Sequence, residues 1–357
     1  MHGLRKLSFG SSAVQNPWLN PTVRAFVRRA LEEDIGTGDI TSETLIDPKC
    51  RVSAGIIARR NYVIAGVEIV RLVCHLVDRQ IVCRILAPDG QKVKAGESIV
   101  VLTGRARSIM AVERTALNFL QRLTGIASLT AQYVAAARPY RVKILDTRKT
   151  TPNMRLLEKY AVRCGGGHNH RMGLYDMILI KDNHRFLWQK NNSFSSTTLG
   201  LRPLKTLRPC SPRPELGTKA GQAVAGLAEA GPGSTTPATT WKFPHAKIPC
   251  TLADAVNEAR RKNPKVPIEV EVESIAQFKD ALSAAPEWIM LDNMSIPLMK
   301  KCAALCYGRS GLEASGGITL ENINAIAATG VNAISIGALT HSAPAADLSL
   351  EVVTAIR

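Results

Sequence analysis

Cationic side chains follow two apolar segments of this chain at the point where each segment ends. The segment VKIL runs directly into DTRK, and MILI runs directly into KDNH. The cations at these ends are Arg148, Lys149 and Lys181, with Thr147 beside them, and His170 and Arg171 lie just before the second segment. Arginine binds carboxylates through paired hydrogen bonds, whereas lysine supplies a point charge. Cations grouped in this way repel one another until an anion neutralises them, so the sequence predicts a ligand with several negative charges.

Later apolar segments end in carboxylates and in glycine-rich turns. Glu271 lies within IEVEV and Asp292 ends WIMLD, and carboxylate oxygens suit a Mg²⁺ ion that substrate oxygens also hold. The runs Ser315-Gly316-Gly317 and Gly337-Ala338 follow two further segments and offer backbone N–H groups to a phosphate. Taken alone, each feature is an ordinary solvated charge or turn. His184 and His341 are interpreted as helix-cap or packing groups, and the agreement of six segment ends favours one common site.

The elements that must position these residues are short strands alternating with helices. The strand-like segments are VKILD, MILIK, IEVEV, WIMLD, GLEAS and AISIG, and the last four begin about twenty residues apart. This alternation indicates parallel βα units, and six of them predict an α/β fold with a TIM-like barrel. The carboxyl ends of such strands converge on one rim. No GxGxxG motif follows the first strand, which counts against a dinucleotide-binding fold.

The N-terminal part has a different pattern, typical of a smaller α+β unit. NPTVRAFVRRALEEDIG predicts an amphipathic helix with Asn20 as its N-cap and Pro21 at its first position. A long helical pattern then covers residues 111–136. Residues 188–249 interrupt the later alternation with a basic, Pro- and Ser-rich stretch, which predicts a disordered insertion.

Composition limits the classes of partner. The net charge is +17, which favours anionic partners, including nucleic acid. Residues 185–250 hold nine Lys or Arg against two acidic residues, and aromatic residues make up 5% of the chain, with no stacking motif near the charge. These features argue against specific nucleic-acid binding, so the predicted partners are small anionic molecules.

The predicted location is the cytoplasm. No apolar run approaches the roughly 20 residues that span a bilayer, so no membrane association is expected. The first residues lack an apolar signal region, although a transit peptide is the alternative interpretation. The eight cysteines include no CxxC pair, as is typical of free thiols in a reducing compartment.

Eight motifs occur in order and cover about residues 18–184 and 250–350. They are EEDIGTGDIT, ERTALNFLQRLTGIA, DTRKTTPNMRLLEKYAVRCGGGHNHRMGL, IKDNH, EVEVES, IMLDNM, LEASGGITLENI and ISIGALTHSAPAAD. In these motifs the chain resembles the quinolinate phosphoribosyltransferases, also called carboxylating nicotinate-nucleotide pyrophosphorylases. The resemblance implies an N-terminal α/β sandwich domain at residues 18–125, joined by the C-terminal segment 345–357. It implies an irregular TIM-like α/β barrel at residues 126–344, which the insertion interrupts.

The resemblance also implies roles for individual residues. The residues implied to bind quinolinate are Arg114, Thr147, Arg148, His170, Arg171 and Lys181. Phosphoribosyl and phosphate binding falls to Lys149, Ser315, Gly316, Gly317, Gly337 and Ala338. Catalysis falls to Lys149, Glu271 and Asp292, and the two carboxylates also bind Mg²⁺ directly or through water. The expected assembly is a homodimer or a larger oligomer in which Arg114 reaches into the neighbouring subunit's site.

The implied reaction transfers phosphoribosyl from phosphoribosyl pyrophosphate to quinolinate with decarboxylation. The products are nicotinate mononucleotide, pyrophosphate and CO₂, a step of NAD biosynthesis. Two alternatives stay open, namely a related phosphoribosyltransferase with another acceptor and an enzyme inactivated by the insertion. The family lacks this insertion, and the hypothesis is that it loops out just beyond Lys181 and leaves the site intact.

Overall fold

The computed structural model of the chain describes residues 16–193 and 251–356. The predicted insertion therefore lies outside the described residues from 194 onward. By internal contacts the described residues divide into one compact unit, residues 16–186 with 251–356, and the beginning of a second at residue 187. Of the second unit, only residues 187–193 are described, and they form the end of a helix.

Helices and strands alternate along most of the described chain. The helices are a short 3-10 helix Pro17–Leu19, α1 (Pro21–Ile35), α2 (Ile40–Leu45), α3 (Val67–Val77), α4 (Ala106–Ala136), α5 (Arg155–Cys164), α6 (Asp182–Ser193), α7 (Leu252–Lys262), α8 (Ile275–Ser283), α9 (Ile296–Cys306), α10 (Ile323–Ala327) and α11 (Ala338–His341). The strands are β1 (Arg51–Ala58), β2 (Tyr62–Val63), β3 (Val82–Ile85), β4 (Lys92–Val93), β5 (Ser98–Arg105), β6 (Lys143–Leu145), β7 (Ile178–Ile180), β8 (Ile268–Val272), β9 (Trp288–Asp292), β10 (Gly311–Ser315), β11 (Ala333–Ser335) and β12 (Leu348–Ile356).

Local sequence signals fix several helix ends. The Asn20 side chain accepts a hydrogen bond from Thr22 N at 2.8 Å and Pro21 opens α1, which confirms the predicted cap. Thr251 and Asp254 form a reciprocal capping box at the start of α7. Across residues 16–193 and 251–356, no helix combines the length and apolar character that crossing a bilayer requires.

An antiparallel sheet with strand order β12-β1-β5-β3 lies in the N-terminal part of the fold. Helix α4 contacts α1, α3 and this sheet, and it buries Leu120 and Leu123 completely. Pairing of β12 with β1 brings residues 348–356 into the same sheet. The domain boundaries at residues 18–125, 126–344 and 345–357 stay predictions.

Six parallel strands form the second sheet in the order β6-β11-β10-β9-β8-β7, which confirms the predicted α/β class and each predicted strand. His168 makes a further parallel bridge to Leu145 in β6. In a flat sheet, five strand spacings of about 4.8 Å would hold this segment roughly 24 Å from β8. Instead, His170 Nε2 lies 2.9 Å from Glu269 Oε2 in β8. The sheet therefore curls like a barrel, although the described strand pairings include no ladder that closes it.

Candidate active site

A cavity of about 690 Å³ opens at the carboxyl ends of the parallel strands. Every predicted site residue except Arg114 lines it, namely Thr147, Arg148, Lys149, His170, Arg171, Lys181, Glu271, Asp292, Ser315, Gly316, Gly317, Gly337 and Ala338. We call residues 147–149, 170, 171 and 181 the basic side, and residues 315–317, 337 and 338 the glycine side. The curled sheet thus brings chain segments almost 200 residues apart to one cavity, as expected for converging strand ends.

The basic side holds arginines whose charge is incompletely balanced by protein groups. Arg171 is buried, and one of its nitrogens donates to the backbone oxygen of Met177 at 3.0 Å. Burial, followed by the charge of Arg148, lowers the pKa of the Arg171 guanidinium. Arg148 Nε is also buried, and within the described part of the chain it has no hydrogen-bond partner. An anion bound at this position would balance the buried charge of Arg171 and accept a hydrogen bond from Arg148 Nε.

A fully buried ion pair lies behind the basic side. The ammonium group of Lys159 donates to Asp146 Oδ1 and, at 3.0 Å, to the backbone oxygen of His170. Asp146 also accepts from the Asn169 side chain at 2.6 Å and from the His170 N–H at 2.9 Å. Burial lowers the pKa of Lys159 and raises that of Asp146, and each charge opposes the other's shift. The pair joins the end of β6 to the loop that carries His170 and Arg171.

His170 lies between two fully buried carboxylates, with Nε2 at 2.9 Å from Glu269 Oε2 and 3.5 Å from Glu313 Oε2. Burial opposes protonation of the ring, but the charges of Glu313 and Glu269 raise the pKa of His170 to about 10, which would protonate both ring nitrogens. The Arg171 N–H, however, donates to Nδ1 at 2.8 Å, and a protonated nitrogen cannot accept. We therefore place this additional proton on Glu269, where burial, followed by the charge of Glu313, raises the pKa to about 7.

The two predicted catalytic carboxylates lie on neighbouring strands of the cavity wall. Glu271 is opposite Met290 in the β8–β9 register, so Asp292, two residues further along β9, lies on the same face. Glu271 forms an ion pair with Lys181, and Asp292 accepts a hydrogen bond from the Asn293 side chain at 3.0 Å. A residue predicted for quinolinate and one predicted for Mg²⁺ are therefore each other's partners.

The glycine side brings backbone close to its neighbours. Gly316 has φ 92°, and a Cβ there would lie 2.1 Å from Asn293 Oδ1. A Cβ on Gly337 would lie 3.0 Å from Lys149 Cδ and 3.1 Å from His341 Nε2. Glycine is therefore needed at position 316 for both conformation and space. At position 337 it allows the Lys149 side chain to cross the segment that begins α11.

Comparison with known proteins identifies the family of this chain. A sequence model of the quinolinate phosphoribosyl transferase N-terminal domain matches residues 39–124. A model of the C-terminal domain of the same family matches residues 126–197 and 238–351. The chain belongs to the quinolinate phosphoribosyltransferase family.

Individual family members cover nearly the whole chain. A Bacillus subtilis (strain 168) protein named a probable carboxylating nicotinate-nucleotide pyrophosphorylase is 36% identical over 321 residues, which is 90% of both chains. The carboxylating, chloroplastic nicotinate-nucleotide pyrophosphorylase of Arabidopsis thaliana is 34% identical over 95% of this chain and 85% of its own. The structure of the Francisella tularensis nicotinate-nucleotide pyrophosphorylase aligns with TM-score 0.72 and 35% identity, covering 93% of this chain and 96% of that one.

Arg114 lies apart from the other predicted site residues of this family member. It is on α4 and outside the cavity, its side chain is 70% exposed, and its nearest charged partner is Glu113 at 3.6 Å. An exposed arginine is free to enter another subunit's site. The role of Arg114 across a dimer interface stays a prediction.

Several residues of the site were given no role in it by the sequence interpretation. His341 was interpreted as a cap or packing group, but it lines the cavity beside Lys149. Glu313 and Asn293 also line the cavity, and Glu269 lies buried against His170. The alternation of IEVEV puts Glu269 on the face of Glu271, which was the available signal for a buried acid. Residue type and spacing gave no comparable signal for Glu313, which lies in the middle of a buried strand.

Proposed function

We propose that this chain transfers the phosphoribosyl group of phosphoribosyl pyrophosphate to quinolinate and removes one carboxylate as CO₂. The products are nicotinate mononucleotide and pyrophosphate, a step of NAD biosynthesis. The observation that carries the proposal is the meeting of the basic side and the glycine side in one cavity, with the Lys149 side chain against Gly337 between them. The basic side suits the two carboxylates of quinolinate, and the glycine side suits the phosphate of the sugar.

The chemistry requires positioning and charge rather than a strong base. The pyridine nitrogen attacks the anomeric carbon with its lone pair, and the bond to pyrophosphate breaks with its electrons on the leaving oxygen. The ring nitrogen, now cationic, stabilises the electron pair that the broken C2–carboxylate bond leaves on C2 as CO₂ departs. The resulting ylide takes a proton at C2. Lys149, at the junction of the two sides, supplies positive charge where the leaving group becomes negative.

We propose Glu271 and Asp292 as the residues that hold Mg²⁺, directly or through water. Their donors are all oxygen, which Mg²⁺ prefers, and Mg²⁺ commonly binds one or two carboxylates together with substrate phosphates. The Glu271–Lys181 ion pair leaves the second Glu271 oxygen without a described hydrogen bond. The ion would neutralise pyrophosphate charge there.

The basic side also accounts for acceptor choice. Quinolinate carries two adjacent carboxylates, and nicotinate lacks the one beside the ring nitrogen. Arg171 is buried and Arg148 Nε has no described partner, so nicotinate would leave one of these cations desolvated and unpaired. Such a loss costs about 1–3 kcal/mol, and more for a charged group. We expect strong preference for quinolinate.

We also propose that the protein is a homodimer located in the cytoplasm. Arg114 would enter the neighbouring subunit's cavity and add one more cation to its basic side. Its 70% exposed side chain supports this assignment. Mixing two inactive variants, Arg114→Ala and Lys149→Ala, tests it, because a shared site would regenerate one intact cavity per mixed dimer. Activity that does not return after subunit exchange would contradict the assignment.

One assay tests the reaction itself. Purified protein is mixed with Mg²⁺, phosphoribosyl pyrophosphate and quinolinate, and nicotinate mononucleotide and CO₂ are followed, with nicotinate as a parallel acceptor. Product from quinolinate alone supports the proposal. No product from the folded protein would contradict it and favour a different acceptor or a cavity inactivated by residues 188–249. Repeating the assay after deletion of residues 191–246 separates these outcomes, because only the second would regain activity.

A further inference from the structure

The loop that carries Lys149 is held from outside the cavity. Thr151 donates to the fully buried Glu158 carboxylate from its N–H at 3.1 Å and from its hydroxyl at 2.8 Å. The Thr340 hydroxyl, on α11, donates to the backbone oxygen of Lys149 at 2.8 Å. Lys149 itself and Thr151, two residues further along the loop, are therefore held by groups on α11 and α5.

Arg122 on α4 joins these two anchors. Its Nε and one terminal nitrogen donate to Glu158 Oε1 at 3.1 and 2.8 Å. That terminal nitrogen also donates to the backbone oxygen of Thr340, and the other donates to the backbone oxygen of Ala343 at 3.1 Å. All three guanidinium nitrogens are thus engaged, and the ion pair with Glu158 is mostly shielded from water, with side-chain exposures of 24% and 0%. Neither Arg122 nor Glu158 lines the cavity.

The segment held by Arg122 is the one that Lys149 crosses. Gly337, at the start of this segment, lies so close to the Lys149 side chain that a Cβ on Gly337 would meet Lys149 Cδ at 3.0 Å, and the same Cβ would lie 3.1 Å from Nε2 of His341, at the other end of the segment. Helix α4 itself approaches the following residues closely, since a Cβ on Gly125 would lie 2.0 Å from the backbone oxygen of Pro344. A shift of either anchor would move the Lys149 ammonium relative to the glycine side.

We propose that Arg122 and Glu158 are positioning residues for the phosphoribosyl donor. Their ion pair sets the distance between Lys149 and the segment from Gly337 to His341. The separate Asp146–Lys159 pair holds the loop that carries His170 and Arg171, at the quinolinate end of the basic side. This inference rests on the proposed function. Displacement of a reacting group by about 1 Å can cost on the order of 100-fold in rate.

The variants are Arg122→Met and Glu158→Gln. Arg122→Met removes every donor, whereas Glu158→Gln keeps the shape and one acceptor oxygen. Arg107→Met is the matched control, because Arg107 is also on α4 and also donates from its guanidinium to backbone oxygens, those of Ile46 and Glu43, without a described contact to the cavity. Arg122→Lys is the conservative variant, because lysine keeps the positive charge but loses the planar set of N–H donors of the guanidinium.

We expect the KM for phosphoribosyl pyrophosphate to rise about tenfold or more in Arg122→Met, with a fall in kcat and a KM for quinolinate within about twofold of the wild type. In Glu158→Gln the KM for the donor should again rise more than the KM for quinolinate, but by a smaller factor. Arg122→Lys should have a donor KM and a kcat closer to the wild-type values than those of Arg122→Met. General destabilisation would instead lower the active fraction and leave both KM values unchanged. Unchanged KM for the donor in a folded Arg122→Met or Glu158→Gln protein overturns the proposal, as does an equal rise in both KM values.

Amide hydrogen exchange and calorimetry do not depend on turnover, so they test the role of Arg122 and Glu158 separately from the proposed reaction. Exchange at residues 149–151 and 337–343 should accelerate in Arg122→Met and Glu158→Gln but not in Arg107→Met. If the wild type makes no product, the proposed function fails, and calorimetric binding of phosphoribosyl pyrophosphate still tests the inference. Weaker binding in Arg122→Met than in Arg107→Met supports it, and equal binding overturns it.

Discussion

The basic side and the glycine side face the same cavity but are built by different means. The basic side presents long charged side chains, and the buried Asp146–Lys159 pair fixes the loops that carry them. The glycine side presents backbone, and Gly316 lies where Asn293 leaves no space for a Cβ. One side depends on the number and geometry of charges, and the other on the absence of side chains.

This difference separates the changes that each side tolerates. A cation on the basic side can be exchanged for another cation with partial loss, because charge attracts an anion over several ångströms. A glycine with positive φ and no free space cannot be exchanged without moving its neighbours. Lys149 belongs to the basic side by chemistry and touches the glycine side through Gly337, so its loss should act mainly on kcat, through the transition state in which the two substrates are joined.

The largest expected effect is therefore that of Lys149→Ala. We expect kcat to fall by about 10²–10³-fold, the usual cost of removing one preorganised group that stabilises developing charge. Steady-state formation of nicotinate mononucleotide measures it, and Lys279→Ala, at an exposed position of α8, is the control. A loss confined to one substrate's KM would show that Lys149 belongs to one side alone.

Arg171→Lys should have the next largest effect and sharpen the role of the basic side. Lysine keeps the charge but cannot both donate to the Met177 backbone oxygen and bind a carboxylate through two nitrogens. Loss of one charge-assisted hydrogen bond costs about 1.5–3 kcal/mol, so the KM for quinolinate should rise roughly 10- to 100-fold. Discrimination against nicotinate should weaken in the same assay. A matching rise in the KM for the donor would argue against separate sides.

Gly316→Ala and Gly317→Ala form a matched pair on the glycine side. Both residues have positive φ, at 92° and 61°, but a Cβ at position 316 meets Asn293 and one at position 317 meets nothing within 4 Å. Backbone strain of about 1–3 kcal/mol is common to both variants. Gly316→Ala should also raise the KM for phosphoribosyl pyrophosphate roughly tenfold, because displacement of Asn293 disturbs Asp292. Equal KM values in the two variants would contradict this account.

The smallest effect concerns stability and its dependence on pH. The folded protein raises the pKa of Glu269 to about 7, by burial and by repulsion from Glu313, above the ordinary value of 4.5. A raised carboxyl pKa contributes stability that is complete below about pH 4.5 and is lost as the pH rises through about 7. We expect the unfolding free energy of wild type minus that of Glu269→Gln to fall by about 1–3 kcal/mol between pH 5 and pH 8.

Chemical denaturation at several pH values measures this difference. The control is Glu273→Gln, because Glu273 follows the same strand but is exposed, and its difference should stay flat. A difference for Glu269→Gln that rises with pH would mean that the buried carboxylate is held ionised.

Local sequence patterns predicted much of the fold and part of the site. The six parallel strands and the cap of α1 follow from alternation, capping residues and apolar periodicity, all of which act within about one turn or one strand. The cations after β6 and β7 were predicted to converge because strand ends do so in any parallel barrel. The position of His341 at the cavity was not predicted, because nothing local indicates that α11 faces Lys149.

The order of residues along the chain was enough to predict which residues end each strand, where glycine replaces a side chain and which cations could meet at the strand ends. Only the tertiary structure decided that Glu269 and Glu313 flank His170, that Lys181 pairs with Glu271, and that Arg122 joins Glu158 to α11. The physical reason is sequence separation. These partners lie between 36 and 218 residues apart, and such contacts exist only once the sheet has curled and α4 has packed against it.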